Sequence, residues 1–125
     1  MLFNDTKFVR ISIGPNNDFK QVPLYTPEYS HVIERKSSVR DLGVMVDDNG
    51  KYDTQINNAI KKTKDKCSWM LTTFNSRDHD ILRTLWKSLA QPYMDYAVQV
   101  WSLNHNDKGK LAAMESPLRD FTRKI

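Results

Sequence analysis

The feature that most constrains the fold of this chain is a change in hydrophobic period at Gly50. Before Gly50, apolar residues such as Val9 and Ile11 alternate with polar ones, and beyond it they recur at intervals of three and four. A period of two is typical of strands, and the longer period is typical of helices. We therefore predict an α+β chain, with a small antiparallel sheet in residues 1–52 and a bundle of three to four helices in residues 53–125.

The sheet is predicted to consist of short strands separated by turn-forming residues. The strand patterns cover residues 7–14, 19–25, 31–35 and 40–46. Pro23 lies in the second pattern and cannot donate a backbone hydrogen bond, so this strand belongs at an edge.

Asp47 and Asp48 follow the last strand pattern and have two interpretations. Paired aspartates on a hairpin can hold magnesium in a two-metal polymerase. The same residues are common turn formers next to Asn49 and Gly50, and no earlier strand supplies another aspartate in a recognisable polymerase context. We favour the turn.

The three histidines are far apart in the sequence, so no metal site is predicted.

The longest helical pattern covers residues 54–74, with Asp53 or Thr54 as its N-cap, and carries lysines outside its apolar stripe. These are Lys61, Lys62, Lys64 and Lys66. Charge alone favours a solvated helix face. The alternative is sequence-independent binding of phosphates, with log affinity falling against log salt at a slope of about −3. The net charge of +4 permits this alternative, and Trp69 could stack on bases, whereas Trp86 and Trp101 are expected in the core.

Residues 85–101 combine helical spacing, large aromatic side chains and a central proline. Two helical segments meeting at an elbow at Pro92 are predicted, because proline removes an interior helical hydrogen bond. The predicted core residues of this stretch are Leu85, Leu89, Pro92, Tyr96 and Trp101. For the same reason Pro117 is predicted to kink or split the last helix.

The chain is predicted to be intracellular and not attached to a membrane. No apolar run approaches the length of about 20 residues that a membrane span needs. The first ten residues lack a basic segment followed by an apolar run. Cys67 is the single cysteine, which agrees with a reducing compartment.

Residues 40–44 read R-D-L-G-V, and Asn4 and Lys7 have the spacing N-x-x-K in the opening stretch. These two blocks resemble the D-L-G-V block, and the N-x-x-K element just before it, of the reverse transcriptases of non-LTR retrotransposons, especially the jockey-like and chicken-repeat-like clades. Residues 85–102 are similar to L-Y-K-x-L-V-R-P-x-L-E-Y-A-x-x-V-W-S-P. Residues 114–123 resemble L-E-x-x-Q-R-x-x-T. The blocks follow the family's order and cover nearly the whole chain.

The resemblance implies the end of a palm, with its primer-grip hairpin, followed by a thumb that holds the template-primer duplex. By this resemblance Lys7 matches a general acid, and the primer grip corresponds to Leu42, Gly43 and Val44. The implied contacts with an RNA–DNA or DNA duplex are Lys61, Lys62, Lys64, Lys66, Lys87 and Gln91.

The catalytic aspartates of the family lie upstream of the matched region, so the resemblance implies no polymerisation by this chain alone. It also implies that this chain holds no cofactor, because magnesium belongs to the full-length polymerase. The missing palm or fingers of the polymerase are implied as a further partner. The sequence departs from the family pattern at Gln55, Gln91, Leu103 and Leu118. These departures keep open an alternative, a remnant that acts as a non-catalytic protein-interaction module.

Overall fold

A computed structural model of the chain describes residues 7–14, 23–25, 30–102 and 107–125. The chain divides into two compact units, Met1–Thr54 and Gln55–Ile125. This division lies close to the predicted boundary after residue 52. Strands precede helices along the chain, so the predicted α+β class is confirmed.

In the described residues of the first unit, six short strands form three separate pairs. They are β1 (Val9–Arg10), β2 (Pro23–Tyr25), β3 (Ser30–Val32), β4 (Glu34–Arg35), β5 (Ser38–Asp41) and β6 (Val44–Asp47). β1 pairs with β4 in parallel, whereas β2–β3 and β5–β6 are antiparallel.

The prediction of one antiparallel sheet is therefore wrong for the residues that the structure describes. Alternation indicates which residues are extended, but the pairing of β1 with β4 is a long-range choice that alternation does not encode. Residues 19–22 of the predicted edge strand, and Asn4, lie outside the described residues.

The hairpin β5–β6 turns at Leu42 and Gly43, within a segment that we predicted as one continuous strand. Both turn residues have positive φ angles, 45° and 88°, as a type I′ turn requires. The residue pair typical of this turn is Asn-Gly, and because leucine occupies the first position here, the sequence pattern did not indicate a turn. Consequently Leu42 is 87% exposed while Val44, just beyond the turn, is buried.

We expect Leu42→Asn to stabilise the β5–β6 hairpin by about 0.5–1 kcal/mol, because asparagine tolerates a positive φ that leucine adopts with strain. Amide hydrogen exchange of the hairpin strands should slow accordingly. Leu42→Ile is the matched control and should accelerate exchange, since a β-branched residue at φ 45° is strained further. Equal exchange in all three proteins would contradict the assignment of strain to this position.

The buried carboxylate of Asp47, at the end of β6, links this strand to the start of α1 (Asp53–Thr73). The Oδ2 atom of Asp47 accepts a hydrogen bond of 3.1 Å from the backbone N–H of Thr54. Burial raises the pKa of Asp47, but the hydrogen bond from the Thr54 backbone, together with the nearby hydroxyls of Thr54 and Ser38, outweighs it, so the pKa lies below the ordinary 3.8. The backbone N–H of Gly50 donates to the carbonyl of Asp47 at 3.0 Å, which confirms the turn interpretation of this segment.

The second unit is helical, and its first helix begins just before the unit boundary. Its elements are α1 (Asp53–Thr73), α2 (His79–Leu85), a π-helical turn (Trp86–Ala90), α3 (Gln91–Asp95), α4 (Val98–Trp101) and α5 (Lys108–Arg123). The core cluster is Cys67, Met70, Leu82, Ala90 and Phe121. Leu85 and Leu89 are partly buried and pack against this cluster.

The helical path continues through Pro92 and breaks later, at Tyr96 and Ala97. Within the π-helical turn, the N–H of Gln91 bonds to the carbonyl of Trp86, five residues earlier. The wider turn leaves room for the proline ring, which would otherwise clash with a carbonyl of the preceding helical turn. The predicted elbow at Pro92 is thus corrected to Ala97, whose φ is 52°.

The break changes the predicted core of this stretch. Pro92 and Tyr96 are exposed, Tyr96 by 54%, so their placement in the core was wrong. Trp101 is 1% exposed, and its indole Nε1–H donates a hydrogen bond of 2.8 Å to the backbone carbonyl of Tyr96. Tyr96 therefore supports Trp101 through its backbone.

The last helix, α5, is helical on both sides of Pro117, so the predicted split does not occur. Pro117 is buried, and burial of its ring offsets part of the cost of the missing hydrogen bond.

In the described part of the chain, no helix has both the length and the apolar character needed to cross a membrane.

Candidate nucleic-acid interface

The four lysines of α1 do not lie on one face of the helix. At about 100° per residue, Lys62 and Lys66 lie one turn apart on one side, and Lys64 lies about 160° from either. Lys64 is engaged elsewhere, because its Nζ atom lies 3.5 Å from Oδ2 of Asp120 on α5. Lys61 is exposed between these two sides. The predicted basic face is therefore two separate groups.

Lys62 and Lys66 border an open groove of about 450 Å³ in the second unit. Its lining consists of Lys62, Asp65, Lys66, Trp69 and Tyr93, and we refer to it as the aromatic–lysine groove. Trp69 is 46% exposed and Tyr93 is 39% exposed. Two cations and two accessible aromatic rings thus share one surface.

Within the groove, the ammonium group of Lys66 lies 4.6 Å from the centroid of the Trp69 ring. This is a cation–π distance, and such a contact holds the lysine stem along the indole. The ring of Phe74 meets Trp69 at 88°, with centroids 6.0 Å apart, in an edge-to-face arrangement. Trp69 is therefore oriented by two neighbours while nearly half of its surface remains accessible.

The sequence analysis named neither Asp65 nor Tyr93 as a binding residue. Tyr93 lies on α3, whereas the other lining residues all lie on α1. Tyr93 lies three residues after the π-helical turn, and nothing in the local sequence indicates that it contacts another helix. Only the packing of the second unit brings Tyr93 to Trp69 and the two lysines.

The remaining predicted contacts lie outside the lining of this groove. Lys87 is exposed on the π-helical turn. The side-chain Nε2–H of Gln91 donates to Oδ2 of Asp95 at 3.0 Å, four residues along α3. Lys61 and Lys64 also fall outside it. Of the six predicted contacts, the structure brings together Lys62 and Lys66.

The residues with predicted palm roles belong to the first unit. Lys7 is exposed and lies just before β1. Leu42 and Gly43 form the turn of the β5–β6 hairpin, and Val44 begins β6.

The described residues contain no group of three or more His, Cys, Asp or Glu side chains that could hold a metal ion. Burial raises the pKa of the Cys67 thiol to about 11, although Lys124 opposes this shift. The thiol is therefore neutral at physiological pH and a poor nucleophile.

The comparisons with known proteins add no constraint on this interface. Neither family models, curated proteins nor solved structures give a match to the chain.

Proposed function

We propose that this chain is the palm end and thumb of a non-LTR retrotransposon reverse transcriptase, that it binds template-primer duplex through backbone phosphates, and that it does not polymerise alone. The observation that carries the proposal is the pair Lys62 and Lys66, one helical turn apart beside an open groove. The order of the sequence blocks supports the family assignment. The absence of the family's catalytic aspartate blocks from this sequence supports the lack of polymerisation.

The placement of the two lysines suits phosphate binding. Residues four apart on a helix have Cβ atoms about 5–6 Å apart, and lysine places a compact charge on a flexible stem. Both ammonium groups can therefore reach neighbouring phosphates of one strand. Lysine bound to phosphate reads no bases, so affinity should be independent of sequence.

We expect the neutralising double variant Lys62→Gln/Lys66→Gln to bind an RNA–DNA duplex about tenfold more weakly and to reduce the salt slope by about 2, since each phosphate contact contributes about 0.9. Fluorescence anisotropy across a salt series measures both quantities. The matched control, Lys61→Gln/Lys64→Gln, removes the same charge from the same helix. It should retain most of the affinity, because Lys64 already pairs with Asp120.

Equal losses in the two double variants would contradict a specific role for Lys62 and Lys66. A wild-type protein that binds no duplex at low salt would contradict the proposed function itself.

The alternative function is a non-catalytic protein-interaction module, which an apolar groove of about 210 Å³ favours. Trp86 and Phe121 lie 5.5 Å apart between ring centroids and line this groove together with Leu118, which is exposed. Leu118 replaces a glutamine of the family pattern, so the substitution makes this surface more apolar. Absent duplex binding combined with self-association would support this alternative.

A further inference from the structure

We propose that the aromatic–lysine groove binds an unpaired nucleotide of a single-stranded segment, with its base stacked on Trp69 and Tyr93 and its phosphate at Lys62 or Lys66. This inference rests on the proposed nucleic-acid binding and deepens it. It adds a single-stranded tail to the duplex as the substrate class, and it assigns Trp69 and Tyr93 as binding residues.

The exposure of the two rings is the first argument. The second unit buries Trp101 to 1% exposure, yet it leaves Trp69 and Tyr93 nearly half and more than a third exposed on one groove. Aromatic rings beside lysines are the usual elements of sites that bind single strands, because every base has a face that stacks on a ring. Bases within a duplex are already stacked, so their faces are not accessible to these rings.

The position of Lys66 is the second argument. Its ammonium group lies over the Trp69 ring, where the face of a base would lie on stacking. A cation over an exposed ring contributes less than a stacked base does. A base can therefore displace Lys66 from the ring, and the displaced ammonium is then close to the phosphate of the same nucleotide.

The charge pattern of the lining gives the nucleotide a direction. Asp65 is the acidic residue of the groove and repels phosphate, whereas its oxygens accept hydrogen bonds from the amino groups of bases. The base is therefore expected beside Asp65, with the phosphate at Lys62 or Lys66. The volume of about 450 Å³ is ample for a single nucleotide.

The test compares a blunt duplex, the same duplex with a short single-stranded tail, and the same duplex with an abasic tail. We expect the tail to raise affinity about tenfold, and the abasic tail, which keeps the phosphates, to give little of this gain. Trp69→Ala and Tyr93→Ala should each bring the ratio of tailed-duplex to blunt-duplex affinity close to one. Tyr96→Ala is the matched control, because this exposed tyrosine lies outside the groove lining, and it should keep the gain.

The outcomes separate the two proposals. Equal affinity for tailed and blunt duplex, or an abasic tail as effective as the normal one, would overturn the stacking site while blunt-duplex binding still supported the proposed function. Binding of the tailed duplex with no affinity for the blunt duplex would overturn the duplex proposal and support the groove assignment. No binding to any of the three would overturn both.

Discussion

Trp101→Ala is expected to lower the free energy of unfolding of the second unit by about 4 kcal/mol, because removing a large buried aromatic side chain costs about 3–5 kcal/mol. The indole is 1% exposed, so the substitution leaves a cavity and removes a large apolar contact area. It also removes the donor to the Tyr96 carbonyl. Urea unfolding followed by the helical circular dichroism signal measures the loss.

Two further substitutions divide this effect into its parts. Trp101→Phe keeps most of the apolar volume but removes the indole N–H, and it should cost about 2 kcal/mol, partly because the Tyr96 carbonyl loses its partner. Val100→Ala, at the neighbouring exposed position, should cost less than about 0.5 kcal/mol. A Trp101→Ala protein no less stable than Val100→Ala would contradict the buried placement of the indole.

Asp47→Ala is expected to destabilise the first unit by about 2 kcal/mol at neutral pH. The substitution removes a buried carboxylate that accepts the Thr54 N–H, and a hydrogen bond to a charged group contributes about 1.5–3 kcal/mol. Loss of a side chain that caps the start of a helix has a similar cost. Faster hydrogen exchange at the Thr54 amide and along β6 would report the effect.

The contribution of Asp47 should also depend on pH. Its pKa in the folded protein lies below the ordinary 3.8, so the stabilisation is complete above about pH 5 and is lost as pH falls through the folded pKa. Asp47→Asn keeps an oxygen acceptor but loses the charge. The stability difference between wild type and this variant should therefore shrink as the solution is acidified.

Asp48→Asn is the matched control for the acid experiment, because it removes the same charge one residue away from the bond to Thr54. It should leave the acid dependence of Thr54 amide exchange nearly unchanged. If Asp48→Asn and Asp47→Asn alter that dependence equally, the assignment of the acid sensitivity to Asp47 is wrong.

Part of the candidate site could be read from the sequence. The spacing of Lys62 and Lys66 on a long amphipathic helix was sufficient to place them together, since positions four apart lie on one side of a helix. The helical rotation also separates them from Lys64, but the ion pair between Lys64 and Asp120 could be known only once the position of α5 was known. Trp69 was recognised as a stacking candidate, and its exposure became known only from the fold. Tyr93 could not be assigned, because its place in the groove depends on contact between distant parts of the chain.

The change of period at Gly50 determined by itself the order of strands and helices, because side-chain periodicity is a local property of each element. Tertiary structure decided what is not local: the parallel pairing of β1 with β4, and the exposure of Tyr96 beside a buried Trp101. The break at Ala97 rather than Pro92 also belongs here, since a π-helical turn accommodates the proline. Such choices depend on which residues meet across the fold, and hydrophobic spacing along the chain does not contain that information.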